Sequence, residues 1–114
     1  MNLLKETIGK IKEYKKRECD VLWVGSVDGE YAMGWSKFKA MSNFEYDSGF
    51  GGQEIATDLV VVGKKWWLER HEYDGSEWWE FKVLPVTKQN TKSFNRVGTS
   101  QGWVNLSEMN IVKE

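Results

Sequence analysis

Three residue types that often mark reactive or cross-linked sites are nearly missing. There is one cysteine, Cys19, one histidine, His71, and one proline, Pro85. A lone cysteine cannot close a disulfide within the chain, which fits a reducing compartment. Cys19 falls between a helix-like and a strand-like stretch with no base placed beside it, so it makes a poor nucleophile. No apolar run approaches the roughly 20 residues that span a bilayer. Residues Met1 to Glu6 are amphipathic rather than a secretory signal, and the expected location is the cytoplasm. Charge of one sign is also lacking. Sixteen basic and 17 acidic residues leave a net charge of −1. That gives no strong signal for nucleic acid and none for a membrane.

What the chain does have is tryptophan, seven in 114 residues. Four of them fall in Asp58 to Val83, the longest strand-like run. Asp74-Gly75 is a two-residue hairpin turn, because a type I′ turn needs positive φ at both central positions. This turn pairs His71 with Trp78, Glu69 with Glu80 and Trp67 with Lys82. Gly63-Lys64 closes an earlier hairpin in the same way, pairing Val61 with Trp66, Val60 with Trp67 and Asp58 with Glu69. Alternation along the strands then gives two faces. Leu59, Val61, Trp66, Leu68, Trp79, Phe81 and Val83 form the core face, with Arg70 near the turn end. Asp58, Val60, Val62, Trp67, Glu69, His71, Trp78, Glu80 and Lys82 share the other. A three-residue loop with a bulge at Gly75 is the rival register. It would put Glu77 beside Trp79 and Phe81, and Lys82 beside Trp66 and Leu68. The cleaner segregation favours the two-residue loop.

The remaining elements follow the same rules. Leu4, Ile8, Ile11 and Tyr14 or Lys15, flanked by Leu3, recur at helical spacing and predict a helix over 1–17. Lys15-Lys16-Arg17 would lie in its last turn; such a basic cluster can bind phosphate, but cations that suit the helix dipole are the better explanation. Residues 20–35 read as a hairpin about Asp28-Gly29. Ser36 caps a short helix near 36–41 that carries Phe38 and Met41 inward. Residues 43–57 are a glycine-rich connection with aromatics tucked over the core. Its Gly49, Gly51 and Gly52 lack the lysine and hydroxyl of a phosphate loop. After Pro85 the chain is polar and extended, and 102–106 read as a final strand or docked segment that Met109, Ile111 and Val112 continue. The expected fold is a single α+β domain over 1–114. It has an antiparallel sheet of about five strands over 20–83, one amphipathic helix packed on it, and a C-terminal arm over 84–114.

The polar face carries the candidate site. Asp58, Glu69 and Glu80 would lie side by side on three strands, next to Trp67, Trp78, His71 and the exposed Tyr73. Lys82 beside Trp67 and His71 beside Trp78 are placed for cation–π contact. Such a face is either a solvated surface or a recognition surface for a basic, partly apolar partner. A small-ligand site for a nucleotide-like signal, built on Phe50, Arg70 and Arg96, is the alternative. A third is weak metal or hydrolytic chemistry at Glu69, His71 and Glu80. No cofactor is expected.

Two stretches also resemble known groups. Gly102-Trp103-Val104 looks like the close of bacterial SH3-like barrels over about ten residues. The blocks DLVVVG, WWLER, EYDG and EWWEF, with FEYDSGFGGQEIAT upstream, resemble small proteins encoded by phages and prophages of Firmicutes. That group carries no established activity. The resemblance spans roughly residues 43–85. It implies a mobile element in a bacterial cell and a non-enzymatic accessory protein that binds a host protein, countering a host defence or redirecting a host process.

With Cys19 as the sole thiol, reductant should leave the melting temperature unchanged. A fall on adding reductant would reveal pairing between chains.

Overall fold

The computed structural model describes residues 1–49 and 51–111. The chain divides into two compact units, Met1–Leu84 and Pro85–Glu114. The first is α+β. Helix α1 (Leu3–Glu13) is followed by a 3₁₀ turn at Glu18–Asp20 and strands β1 (Val21–Ser26) and β2 (Ala32–Met33). Helix α2 (Trp35–Met41) precedes the meander β3 (Leu59–Gly63), β4 (Trp66–Tyr73) and β5 (Ser76–Val83). The five strands form one antiparallel sheet in the order β2-β1-β3-β4-β5. Among the described residues, no helix is long and apolar enough to cross a membrane.

Asp74 and Gly75 form the β4–β5 turn, both at positive φ (50° and 85°). The register they set matches the sequence reading: His71 faces Trp78, Glu69 faces Glu80 and Trp67 faces Lys82. Glu77 nevertheless shares the face of Trp79 and Phe81, as residues two apart on a strand must, and it is buried there. The β3–β4 turn differs from expectation. Its loop is Lys64-Lys65, with Lys65 at φ 65°, and Gly63 pairs with Trp66 as the last residue of β3. A Cβ on Gly63 would come within 2.0–2.4 Å of the Trp66 indole. That glycine therefore serves ring packing across the strands rather than the turn. The pairing moves by two residues, which keeps every side chain on its expected face but sets Glu69 opposite Val60 instead of Asp58.

The core row runs Val24–Val61–Leu68–Phe81 across four strands. Trp66, Leu68 and Trp79 are buried, whereas Phe81 is partly covered, stacked on Tyr14 at 4.1 Å between ring centroids, and Val83 is exposed. Helix α1 meets this face through Leu3, Thr7 and Ile11, a stripe turned from the expected one; Leu4 and Ile8 are only half-buried. Thr7 is tolerated inside because its hydroxyl donates to the Leu3 carbonyl at 2.7 Å and accepts from Trp79 Nε1 at 2.9 Å. Asn2 caps the helix through the Lys5 amide. The Ser42 and Phe44 carbonyls take the Leu4 and Leu3 amides. The helix ends at Glu13, earlier than expected. Lys15 (φ 60°) and Lys16 return their amides to the Lys12 and Ile11 carbonyls. Helix α2 starts at Trp35 with Gly34 at its N-cap rather than Ser36. It buries Phe38 but leaves Met41 exposed, because a seven-residue helix presents one inward turn.

A charged cluster sits inside this core. The Arg70 and Glu77 side chains are 0% and 1% exposed and 2.8 Å apart. Arg70 also reaches Tyr46 Oη at 3.1 Å and Glu6 at 3.4 Å, and lies over the Trp79 ring at 4.7 Å. Glu77 further accepts the Glu54 and Ile55 amides at 2.7 and 3.3 Å. Burial works against the Arg70 charge, but its bonds to Tyr46 and Glu77 and the nearby Glu6 hold its pKa above the ordinary value. Burial, then Glu6, pushes the Tyr46 hydroxyl up to about 12.

In the second unit the described residues before Leu106 carry no helix or strand. Of 102–106, expected as a final strand or docked segment, 102–105 carry neither helix nor strand, and Leu106 opens a helical turn, α3 (Leu106–Met109), capped by Asn105 on the Glu108 amide. Trp103 is fully exposed at φ 60°, so the likeness to an SH3-like ending does not extend to a strand here. Val112 lies outside the described residues.

Removing one partner of a buried ion pair leaves the other charge stranded. Glu77→Gln should therefore cost about 3 kcal/mol or more in denaturant unfolding. A loss below about 1 kcal/mol would show that Arg70 is satisfied without it.

Candidate functional site

Both helices of the first unit, together with Tyr46 and Ile55 of the 43–58 connection, join the core cluster on one side of the sheet. The opposite face is ordered into rows by the strand registers. One row reads Trp23–Val62–Trp67–Lys82 and the next Gly25–Val60–Glu69–Glu80, with His71 opposite Trp78 beyond them. The face is therefore graded. Its β1–β3 side is apolar, with Trp23, Val27, Val60, Val62 and Trp67 around a shallow groove of about 180 Å³. Its β4–β5 side holds the two glutamates, His71, Trp78 and Lys82.

Charge and aromatic groups are joined within each strand. Trp67 Nε1 donates to Glu69 Oε1 at 2.7 Å, and Trp78 Nε1 donates to Glu80 Oε1 at 3.0 Å. Residues two apart share a face, so each Trp-x-Glu triplet forms a local clamp, repeated on neighbouring strands. His71 Nε2 lies 2.7 Å from Glu69 Oε2. The Trp67 N–H, with His71 also contributing, holds the Glu69 carboxyl below its ordinary value of 4.5. The Trp78 N–H does the same for Glu80, aided by the charges of His71 and Lys82. Two carboxylates placed directly opposite each other would repel. Here each has its own donor, so both stay ionised at neutral pH.

Most of the expected site residues meet on this face, and some do not. Trp67, Glu69, His71, Trp78 and Glu80 come together, and Tyr73 stands 76% exposed at the turn end of the same strand face. Asp58 leaves the row, since it precedes β3 and the register sets Val60 opposite Glu69. Lys82 and His71 are cross-strand neighbours of the indoles as expected. Among the described residues, though, the cation–π contacts of Arg lie in the core, on Tyr46 and Trp79. The outer indoles engage glutamates instead. No group of three or more His, Cys, Asp or Glu side chains among the described residues is gathered closely enough to hold a metal.

Of the alternative ligand site, Arg70 and Arg96 are described, each in its own unit. Arg70 is committed to the buried cluster. Arg96 belongs to the second unit, where its amide and carbonyl are both bonded to Asn110. Phe50 lies outside the described residues. Sequence reading missed Glu77, Glu6 and Tyr46 as partners of Arg70. The signal available was Arg70 itself, since an arginine on an apolar face requires a carboxylate.

No family model, curated protein or solved structure matches this chain.

The depressed pKa values fix the sign of a pH effect. Glu69 and Glu80 contribute stability that is present above their ordinary value of 4.5 and lost as pH falls through their lower folded values. Trp67→Phe removes the N–H donor, so the Glu69 carboxyl should titrate at higher pH in carboxyl-detected NMR while Glu80 stays put. An unmoved Glu69 would mean that the clamp does not form in solution.

Proposed function

We propose that this chain is a non-enzymatic accessory protein, encoded by a phage or prophage, that binds a host protein in the bacterial cytoplasm through the outer face of its sheet. The observation that carries the reading is the division of the sheet. The elements of the first unit that join the core all lie on one side, while the other presents four aromatic rings around two ionised, opposed carboxylates. A face that only solvated the sheet would have little need of two indoles, Trp67 and Trp78, each held by a hydrogen bond. Preorganised aromatic anchors reduce the entropy lost on binding.

The gradient of the face describes the partner. An apolar side chain fits the groove between Trp23 and Trp67, and a lysine or arginine beside it reaches Glu69 and Glu80. Such a charge pair at the rim sets orientation and on-rate, and the aromatic groove supplies affinity. Phosphate-bearing ligands are disfavoured on this face by the same two carboxylates.

The test compares variants in quantitative capture from host lysate, with binding constants for whatever protein the parent enriches. Glu69→Gln with Glu80→Gln keeps an acceptor for each indole N–H but gives up the charge that the folded state favours, so the melting temperature should fall slightly at neutral pH while affinity drops about tenfold. Trp67→Ala should weaken binding further, and added salt should weaken the parent more than the double variant. A double variant that binds the enriched protein as tightly as the parent would overturn the proposal.

A further inference from the structure

A second charged site lies in the first unit, away from the outer-face rows. Lys15, Lys16 and Arg17 follow α1, and Lys64 comes from the β3–β4 turn; the four border one cleft of about 470 Å³. Asp20 is the one acid on its lining, and it is occupied: it accepts the Arg17 amide at 2.8 Å and pairs with the guanidinium at 3.2 Å. Lys15, Lys16 and Lys64 have no carboxylate partner among the described residues. In a chain of net charge −1, three unpaired lysines about one cleft, with Arg17 and Asp20 offsetting each other, are a local excess.

Backbone strain adds to this. Lys15, on the cleft lining, adopts a left-handed conformation at φ 60°. Lys15 occupies the position after a helix where glycine is favoured, and it makes the hydrogen bonds that glycine would make there. Lysine at such a position is disfavoured and brings only its charge. The helix dipole is an incomplete explanation. Lys16 and Arg17 already supply cations at that end, and Lys64 comes from a β-turn with no helix dipole behind it. A local rule broken without structural gain marks a place to look for a ligand.

The walls refine the ligand. A bulge between Val21 and Trp23 turns Leu22 outward, and Leu22 and Trp66 give the cleft an apolar side. We propose that the cleft binds a small anion of two or three linked phosphates, either free or as the tail of a nucleotide whose base rests on the Leu22 side. The three unpaired lysines exceed what one phosphate uses, and a linked chain can engage them together. This site is independent of the outer face and of any protein partner.

Cys19 lines the cleft and is the sole thiol, so it reports on occupancy. The full chain would be titrated with tripolyphosphate, adenosine triphosphate and adenosine by calorimetry, and the rate of Cys19 alkylation by neutral iodoacetamide followed in parallel. Tripolyphosphate should bind and slow alkylation several-fold. Lys15→Gly with Lys64→Gln should weaken it by about tenfold or more. Lys15→Gly alone should keep or raise the melting temperature, because it relieves strain while removing a charge. Adenosine triphosphate binding more tightly than tripolyphosphate assigns the nucleotide form, and equal binding assigns the free phosphate chain. Adenosine binding as tightly as the triphosphate overturns the proposal. So does sulfate at matched ionic strength protecting Cys19 equally, or the double variant binding as well as the parent.

Discussion

The first unit depends on one buried ion pair. Arg70 on β4 and Glu77 on β5 are out of water, and an isolated charge there would be prohibitively unstable. Each is instead surrounded by partners drawn from distant parts of the chain: Glu6 from α1, Tyr46 and the Glu54 and Ile55 amides from the 43–58 connection, and the Trp79 ring from the sheet. The cluster therefore fastens helix, connection and sheet at a single point. Arg70 Nε alone has no hydrogen-bond partner in the cluster among the described residues. Hydrophobic replacements of similar volume could match the stability, but they would lose the directional bonds that say where the connection lies.

That placement has a consequence on the far side of the sheet. Elements drawn toward Arg70 and Glu77 are kept off the face that carries Trp23, Trp67 and Trp78. Aromatic rings and charges are combined on both sides, with opposite polarity. Inside, a guanidinium lies over π faces; outside, indole N–H groups donate to carboxylates. The inner combination neutralises charge and removes it from solvent. The outer one keeps two negative charges ionised and oriented at the surface.

Much of this was legible in the sequence where one residue type had one purpose. Asp74-Gly75 admits few geometries besides a tight turn, and the β4–β5 register followed from it. Gly63 was misread because glycine also permits close approach, and nothing local says that the Trp66 ring will lie on it. The error cost Asp58 its place in the row, yet left the faces intact because the shift was even. Thr7 hid the true stripe of α1: it counts as polar by type, but both its hydrogen bonds are made inside. Glu77 was hidden in the same way, although Arg70 on the core face called for an acid. The C-terminal helical turn was readable after all, since Asn105 and Glu108 have the spacing of a cap and its third residue. The Trp-x-Glu repeat at 67–69 and 78–80 was likewise visible, but became meaningful only with the indole N–H directions.

The Glu77 carboxylate holds the connection to the core. Amide hydrogen exchange at Glu54 and Ile55 measures this directly, because neither residue belongs to a helix or strand that would protect it otherwise. Their amides should exchange only through global unfolding, as slowly as those of Leu68 in the sheet centre. Exchange at Glu54 and Ile55 near the rate of an unstructured loop, with Leu68 still protected, would contradict the account.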